Sequence, residues 1–165
     1  MNTVVLTSLQ IKQKINRIAF EILENNFEEK ELYLIGIKGN GVELAKRLTT
    51  VLKTITKQEL KTAFISINKQ KPLSESIELS CNSKELENKA IILVDDVINS
   101  GKTMQYALVK LLERPSKKIK TVALVDRKHR RYPIRCDYVG LTLSTTLQER
   151  VEVELTATKD VAFLK

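Results

Sequence analysis

Histidine occurs once in the 165 residues, at His129, and cysteine twice, at Cys81 and Cys136. One imidazole cannot build a histidine-based metal cluster, and no Ser-His-Asp or Cys-His arrangement suggests itself. The residues around His129 make it a basic-patch or hydrogen-bonding group rather than a catalyst. The two cysteines lie far apart at a spacing that fits no zinc motif, and a disulfide between them is not expected in a reducing compartment. Long hydrophobic runs are absent too: none approaches the ~20 residues that span a bilayer. The opening M-N-T-V-V-L-T-S lacks the basic segment and apolar stretch of a secretory signal. The expectation is a cytoplasmic protein with no membrane partner.

Acidic residues are scarce in one place. From Lys110 to Arg135 ten lysines and arginines face only Glu113 and Asp126, and ten minus two equals the whole formal surplus of +8. Such a segment either attracts an anion (a phosphorylated metabolite, RNA, or both) or is a solvated basic face without a partner. With 42% hydrophobic and 29% charged residues, the remainder is ordinary for a globular chain, and a single domain over 1–165 is expected.

Glycine is sparse, with five in all, and that decides two motif questions. Gly36, Gly39 and Gly41 do not give the G-x-G-x-x-G of a dinucleotide turn. The stretch I-I-L-V-D-D-V-I-N-S-G-K-T (91–103) ends like an ATP-binding P-loop, yet the position five before Gly101 is Asp96, a carboxylate where phosphates would lie.

Apolar spacing predicts helices from Ser8 (as N-cap) to Asn26, over Val42–Leu52 and over Thr103–Leu112. Buried strands are predicted at Leu32–Ile37, Thr62–Ile67, Ala90–Val94 and Lys120–Val125. Shorter extended pieces follow near Asp137–Leu141, Val151–Leu155 and Val161–Leu164, and residues 68–82 form a polar excursion. Strands alternating with helices imply a parallel α/β sheet covered on both faces, with ligands beyond the carboxyl ends of its strands. Residues 38–41, 95–103 and 126–131 then share one edge.

On that edge the 91–103 stretch has a coherent chemistry. Amides at the start of the helix, with the Ser100 and Thr103 hydroxyls, make a socket for one phosphate, and Gly101 lets the backbone come close. Asp95 and Asp96, just upstream, suit vicinal hydroxyls or a hydrated Mg²⁺. A phosphate at one end and a diol at the other describe a ribose 5-phosphate.

V-D-D-V-I-N-S-G-K-T resembles the phosphoribosyl-pyrophosphate (PRPP) motif of the type I phosphoribosyltransferases, with Ser100 keeping the hydroxyl of the usual threonine. Three further stretches resemble the PyrR branch, pyrimidine operon attenuation regulators that are also uracil phosphoribosyltransferases: Asn16–Asn26, Leu34–Leu48 and Thr121–Gly140. The resemblance implies a central parallel sheet flanked by helices, with a small hood and a flexible lid near 68–82. It implies that Asn99, Ser100, Gly101, Lys102 and Thr103 bind the 5-phosphate. Asp95 and Asp96 would be the catalytic acidic pair, holding the ribose hydroxyls directly or through Mg²⁺. Lys38, Gly39, Asn40 and Gly41 would receive pyrophosphate, and Asp126, Arg127, Tyr138, Val139 and Gly140 would surround the base.

An ionised Asp126 cannot donate to a purine 6-oxo group, which favours uracil; alternatively it pairs with Arg127 or another basic neighbour. Departures from the branch are local. Asn40 stands where the branch has an arginine, Phe20 where it has a histidine, and the lid reads S-I-N-K-Q-K-P-L (66–73), leaving Lys69 and Lys71 to meet pyrophosphate. The expected activity is transfer of ribose 5-phosphate from PRPP to uracil with Mg²⁺, by a homodimer or higher homo-oligomer. The alternative is an RNA-binding attenuation regulator that senses nucleotide with weak or no catalysis, using Arg17, Lys128, His129, Arg130, Arg131 and Arg135.

Overall fold

The computed structural model describes residues 2–165. Nine strands and three α-helices follow one another among the described residues, with a short 3-10 helix (Ser83–Leu86) before β5: β1 (Thr3–Leu6), α1 (Ser8–Asn26), β2 (Glu31–Ile37), α2 (Asn40–Ile55), β3 (Glu59–Ser66), β4 (Glu78–Leu79), β5 (Ala90–Ile98), α3 (Lys102–Leu111), β6 (Lys118–Asp126), β7 (Tyr138–Thr142), β8 (Val151–Leu155) and β9 (Asp160–Leu164). The larger sheet has the order β4-β3-β2-β5-β6-β7. Its strands are parallel except β4, which pairs antiparallel with β3. The expected α/β architecture is borne out, with a mixed rather than purely parallel sheet.

Two apolar layers explain why the central strands read as nearly continuous hydrophobic runs. On one face Leu34, Ile92 and Leu124 pack beneath Ile11, Ile15 and Ile18 of α1 and Leu44 and Leu48 of α2. On the other, Ile35, Leu93 and Ala123 meet Met104, Ala107 and Leu111 of α3. Alternation along each strand sends neighbouring residues to opposite layers. A second, antiparallel sheet, β1-β9-β8, forms a hood whose Val153, Leu155 and Ala162 join the α1–α2 layer.

Three local differences from expectation have plain causes. The α1 N-cap is Thr7, whose hydroxyl accepts from the Gln10 amide while the Gln10 side chain accepts from the Thr7 amide, a reciprocal capping box. Strand β1 is too short to announce itself; its partner β9 lies at the far end of the sequence. The polar excursion over 68–82 contains β4, where Ser80 takes the amide of Phe64 on its hydroxyl and donates its own amide to the Phe64 carbonyl. No helix among the described residues is long and apolar enough to cross a membrane.

In the order β3-β2-β5-β6, connections leave β2 and β5 in opposite directions. That switch point is where open α/β sheets form their ligand crevice. The turn Lys38–Gly41 follows β2, and the acidic pair ends β5.

Candidate active site

Pairing between β2 and β5 ends at Gly36–Val94, whereas β5 stays paired with β6 as far as Ile98–Asp126. Asp95 and Asp96 therefore stand just past the shorter strand, at the floor of a cavity of about 480 Å³. Each carboxylate is held from a different side. Asp95 Oδ1 accepts from the Asp96 amide at 2.9 Å and lies 3.3 Å from Lys69 Nζ on the lid. Asp96 Oδ2 accepts from Asn40 Nδ2 at 2.9 Å, and that same amide nitrogen donates to the Val153 carbonyl of the hood at 2.7 Å. Asp95 is buried, but beneath a polar cavity rather than inside the apolar layers. Burial, and then the neighbouring charge of Asp96, push its carboxyl up to about 7, while Lys69 pulls it down.

The turn Asn99–Thr103 lines the same cavity in full. Gly101 caps α3 with φ 83° and ψ 0° and offers no side chain, while the Ser100 hydroxyl accepts from the Lys102 amide at 3.3 Å. The Asn99 carbonyl accepts from Arg130 Nη1, and the Ser100 carbonyl from the amides of Arg131 and Tyr132. The carbonyls of Asn99 and Ser100 are thus engaged, and a helix start of this kind is a natural place for an anion. A Cβ at Gly101 would strike Ile134 Cγ2, so glycine is required here by space as well as by φ.

Of the predicted pyrophosphate loop, Asn40 lines the cavity; Lys38 is exposed, with its amide on the Ile65 carbonyl. Gly39 takes φ 111° as the α2 N-cap. A Cβ on Gly41 would lie 2.7 Å from the Val94 carbonyl, so the loop is pressed against the end of β5.

None of the five residues expected around the base lines this cavity. Tyr138 packs in the α1–α2 layer, its hydroxyl near Asn26. The carbonyls of Val139 and Gly140 accept from Arg17. Asp126 forms a two-pronged pair with Arg130, both contacts at 2.9 Å, which is the pairing alternative with a partner other than Arg127. Arg127 is buried and reaches Asn99 and the segment before β8. The wall opposite the phosphate turn is instead Val151, Glu152 and Val153 of the hood. Sequence reading missed these three, because a short alternating strand carries no mark of where the hood folds back. Val97, Ile98 and Met104 complete the lining.

The candidate RNA residues divide into two groups. Lys128, Arg131 and Arg135 are exposed; Arg17 is exposed too but donates to the Val139 and Gly140 carbonyls of β7, and the half-buried Arg130 holds Asp126. The His129 ring Nε2 lies 2.8 Å from the Thr145 carbonyl, in keeping with a hydrogen-bonding role. Among the described residues no cluster of three or more ligating side chains is present. The acidic pair beside a polar cavity offers two carboxylates, the oxygen donors that suit Mg²⁺.

Fold and site together place a glycine turn and an acidic pair in one cavity at the switch point of a doubly covered α/β sheet. A model of the phosphoribosyl transferase domain matches residues 2–156, and the chain belongs to that family. It is 37% identical over 164 residues to the bifunctional protein PyrR of Listeria welshimeri, covering 93% of this chain and 89% of that protein. To the protein of the same name from Pediococcus pentosaceus it is 32% identical over 163 residues, covering 93% and 92%. The hypoxanthine phosphoribosyltransferase of Trypanosoma cruzi has the same fold, with a TM-score of 0.80 at 20% identity, covering 99% of this chain and 96% of that one. The resemblance read from the PRPP-like motif is borne out, and the chain is a phosphoribosyltransferase-type glycosyltransferase by family.

Proposed function

We propose that this chain transfers the phosphoribosyl group of PRPP to a pyrimidine base, uracil, releasing pyrophosphate and forming UMP. The observation that carries the reading is one cavity joining the start of α3, with Gly101 in the left-handed region, to two adjacent carboxylates. The turn would take the 5-phosphate and the acidic pair the ribose 2- and 3-hydroxyls. As pyrophosphate leaves, positive charge develops on the ribose ring, and the carboxylates beneath it favour that charge. Asp95 and Asp96 would hold Mg²⁺, which supplies charge neutralisation to the leaving pyrophosphate. Asn40 keeps Asp96 oriented, and Lys69 and Lys38 are the cations within the lid and loop for the other end of the substrate. No covalent intermediate with the protein is called for; positioning and electrostatics carry the rate.

Incubation with radiolabelled uracil, PRPP and Mg²⁺ tests this directly. Labelled UMP is expected; absence of product with uracil and with the common purine bases overturns the catalytic reading. Uracil is favoured by the likeness to the PyrR branch.

A second reading has its own observation. Lys128, Arg131 and Arg135 project into solvent from one loop, Arg135 with 88% of its side chain exposed. This array suits RNA phosphates, and the name of the relatives points to a second, regulatory role. UMP-dependent, salt-sensitive binding to a pyrimidine-operon leader is expected, and equal affinity for unrelated RNA overturns it.

A further inference from the structure

Arg127 is 6% exposed, and its guanidinium is directed at neutral acceptors rather than at a carboxylate. Nη1 donates to Asn99 Oδ1 at 2.9 Å and Nε to Thr145 Oγ1 at 2.9 Å. Nη2 donates to the carbonyls of Glu149 at 2.5 Å and Thr146 at 3.2 Å. Asn99 opens the phosphate turn. Thr145 to Glu149 lead directly into β8, whose Val151, Glu152 and Val153 form the opposite wall of the cavity. A single planar fork thus spans from the floor that takes the phosphate to the wall that faces the base. The far end of that wall is pinned independently, by Asn40 on the Val153 carbonyl.

An interior cation with only neutral partners is costly to bury, and a guanidinium cannot adjust one of its donors without turning the others. Resting on the functional reading above, we propose that Arg127 is a positioning residue that couples occupancy of the phosphate turn to the placement of the hood wall over the base. A phosphate bound at Asn99–Thr103 fixes Asn99. Asn99 Oδ1 fixes the guanidinium plane, and the other two edges of that plane fix residues 145–149. The role differs from the base contact expected for Arg127 from sequence: it touches neither ligand and acts through Asn99.

Ribose 5-phosphate, which has no base, separates this role from ordinary structural support. Hydrogen exchange of the 144–150 amides is measured with and without saturating ribose 5-phosphate in the native chain, in Arg127→Lys and in Asn99→Ala. In the native chain the ligand is expected to slow exchange there by about five-fold or more, the lower end of the usual coupling between linked sites. In Asn99→Ala, which leaves every Arg127 bond to 145–149 in place, the ligand-induced slowing should vanish at ribose 5-phosphate concentrations that calorimetry shows to saturate that variant. Arg127→Lys keeps the charge and loses the fork, and should also lose the slowing. Calorimetry run in parallel keeps the two readings apart. If ribose 5-phosphate binds the native chain without slowing these amides, or slows them equally in Asn99→Ala, the coupling is overturned and the phosphate site stands. If it does not bind the native chain at all, the functional reading fails and the coupling with it.

Discussion

Asp95 concentrates the electrostatic strain of the site. Its carboxyl ionises near 3.8 when unperturbed and at about 7 in the fold. Between those values the folded chain holds a proton that the unfolded chain has released, so this group makes stability fall as pH rises from 3.8 towards 7. Asp95→Asn removes that dependence. Its melting temperature should exceed the native value by more at pH 8 than at pH 5, with ~2–4 °C for each kcal/mol in a chain of this size. Scanning calorimetry at the two pH values checks this, and an equal shift at both contradicts it. The same substitution should reduce turnover by about 10²-fold or more, as loss of a preorganised electrostatic group does. Lys69 lowers the Asp95 value, so in Lys69→Met the pH at which PRPP binding sets in should move upward, as followed by titration calorimetry between pH 5 and 9.

At the scale of elements, the start of α3 depends on Gly101. Alanine there faces both a left-handed φ of 83° and a collision with Ile134. Gly101→Ala should cost about 1–3 kcal/mol, the usual cost of a residue held in a sparsely populated backbone region. Urea unfolding reads that cost, and ribose 5-phosphate should no longer protect the variant. The β5–α3 unit is legible in the sequence because its chemistry is written in consecutive residues: an apolar strand, two carboxylates, then small hydroxyl and glycine residues. Side-chain parity is less legible. Tyr138 is expected at the base from sequence, but its register opposite Val122 commits it to the α1–α2 layer. Nothing local distinguishes that from a residue facing the cavity. The contributions of Val151–Val153, and of Asn40 to both Asp96 and β8, are contacts between distant parts of the chain and leave no periodic trace.

Across the whole molecule, the excess of basic residues proves to be two different things. Part of it is framework, with the exposed Arg17 donating to β7, Arg130 on Asp126 and the buried Arg127 on Asn99. Part of it is a solvated surface, and only this part is free to meet a polyanion. Arg131→Ala and Arg135→Ala should leave the melting temperature nearly unchanged. Each should reduce the slope of log affinity for RNA against log salt by about 0.7 for every single-strand phosphate that the side chain neutralises. Filter binding across a salt series reads both. Unchanged slopes would remove this loop from any RNA interface.

The most direct measurement is a crystal structure of the chain grown with ribose 5-phosphate and Mg²⁺. The phosphorus should lie against the amides of Ser100 to Thr103, with the 2- and 3-hydroxyls turned towards Asp95 and Asp96 and Lys69 displaced from Asp95. A phosphate seated elsewhere at full occupancy, or a sugar whose hydroxyls turn away from both carboxylates, would contradict the assignment of this cavity.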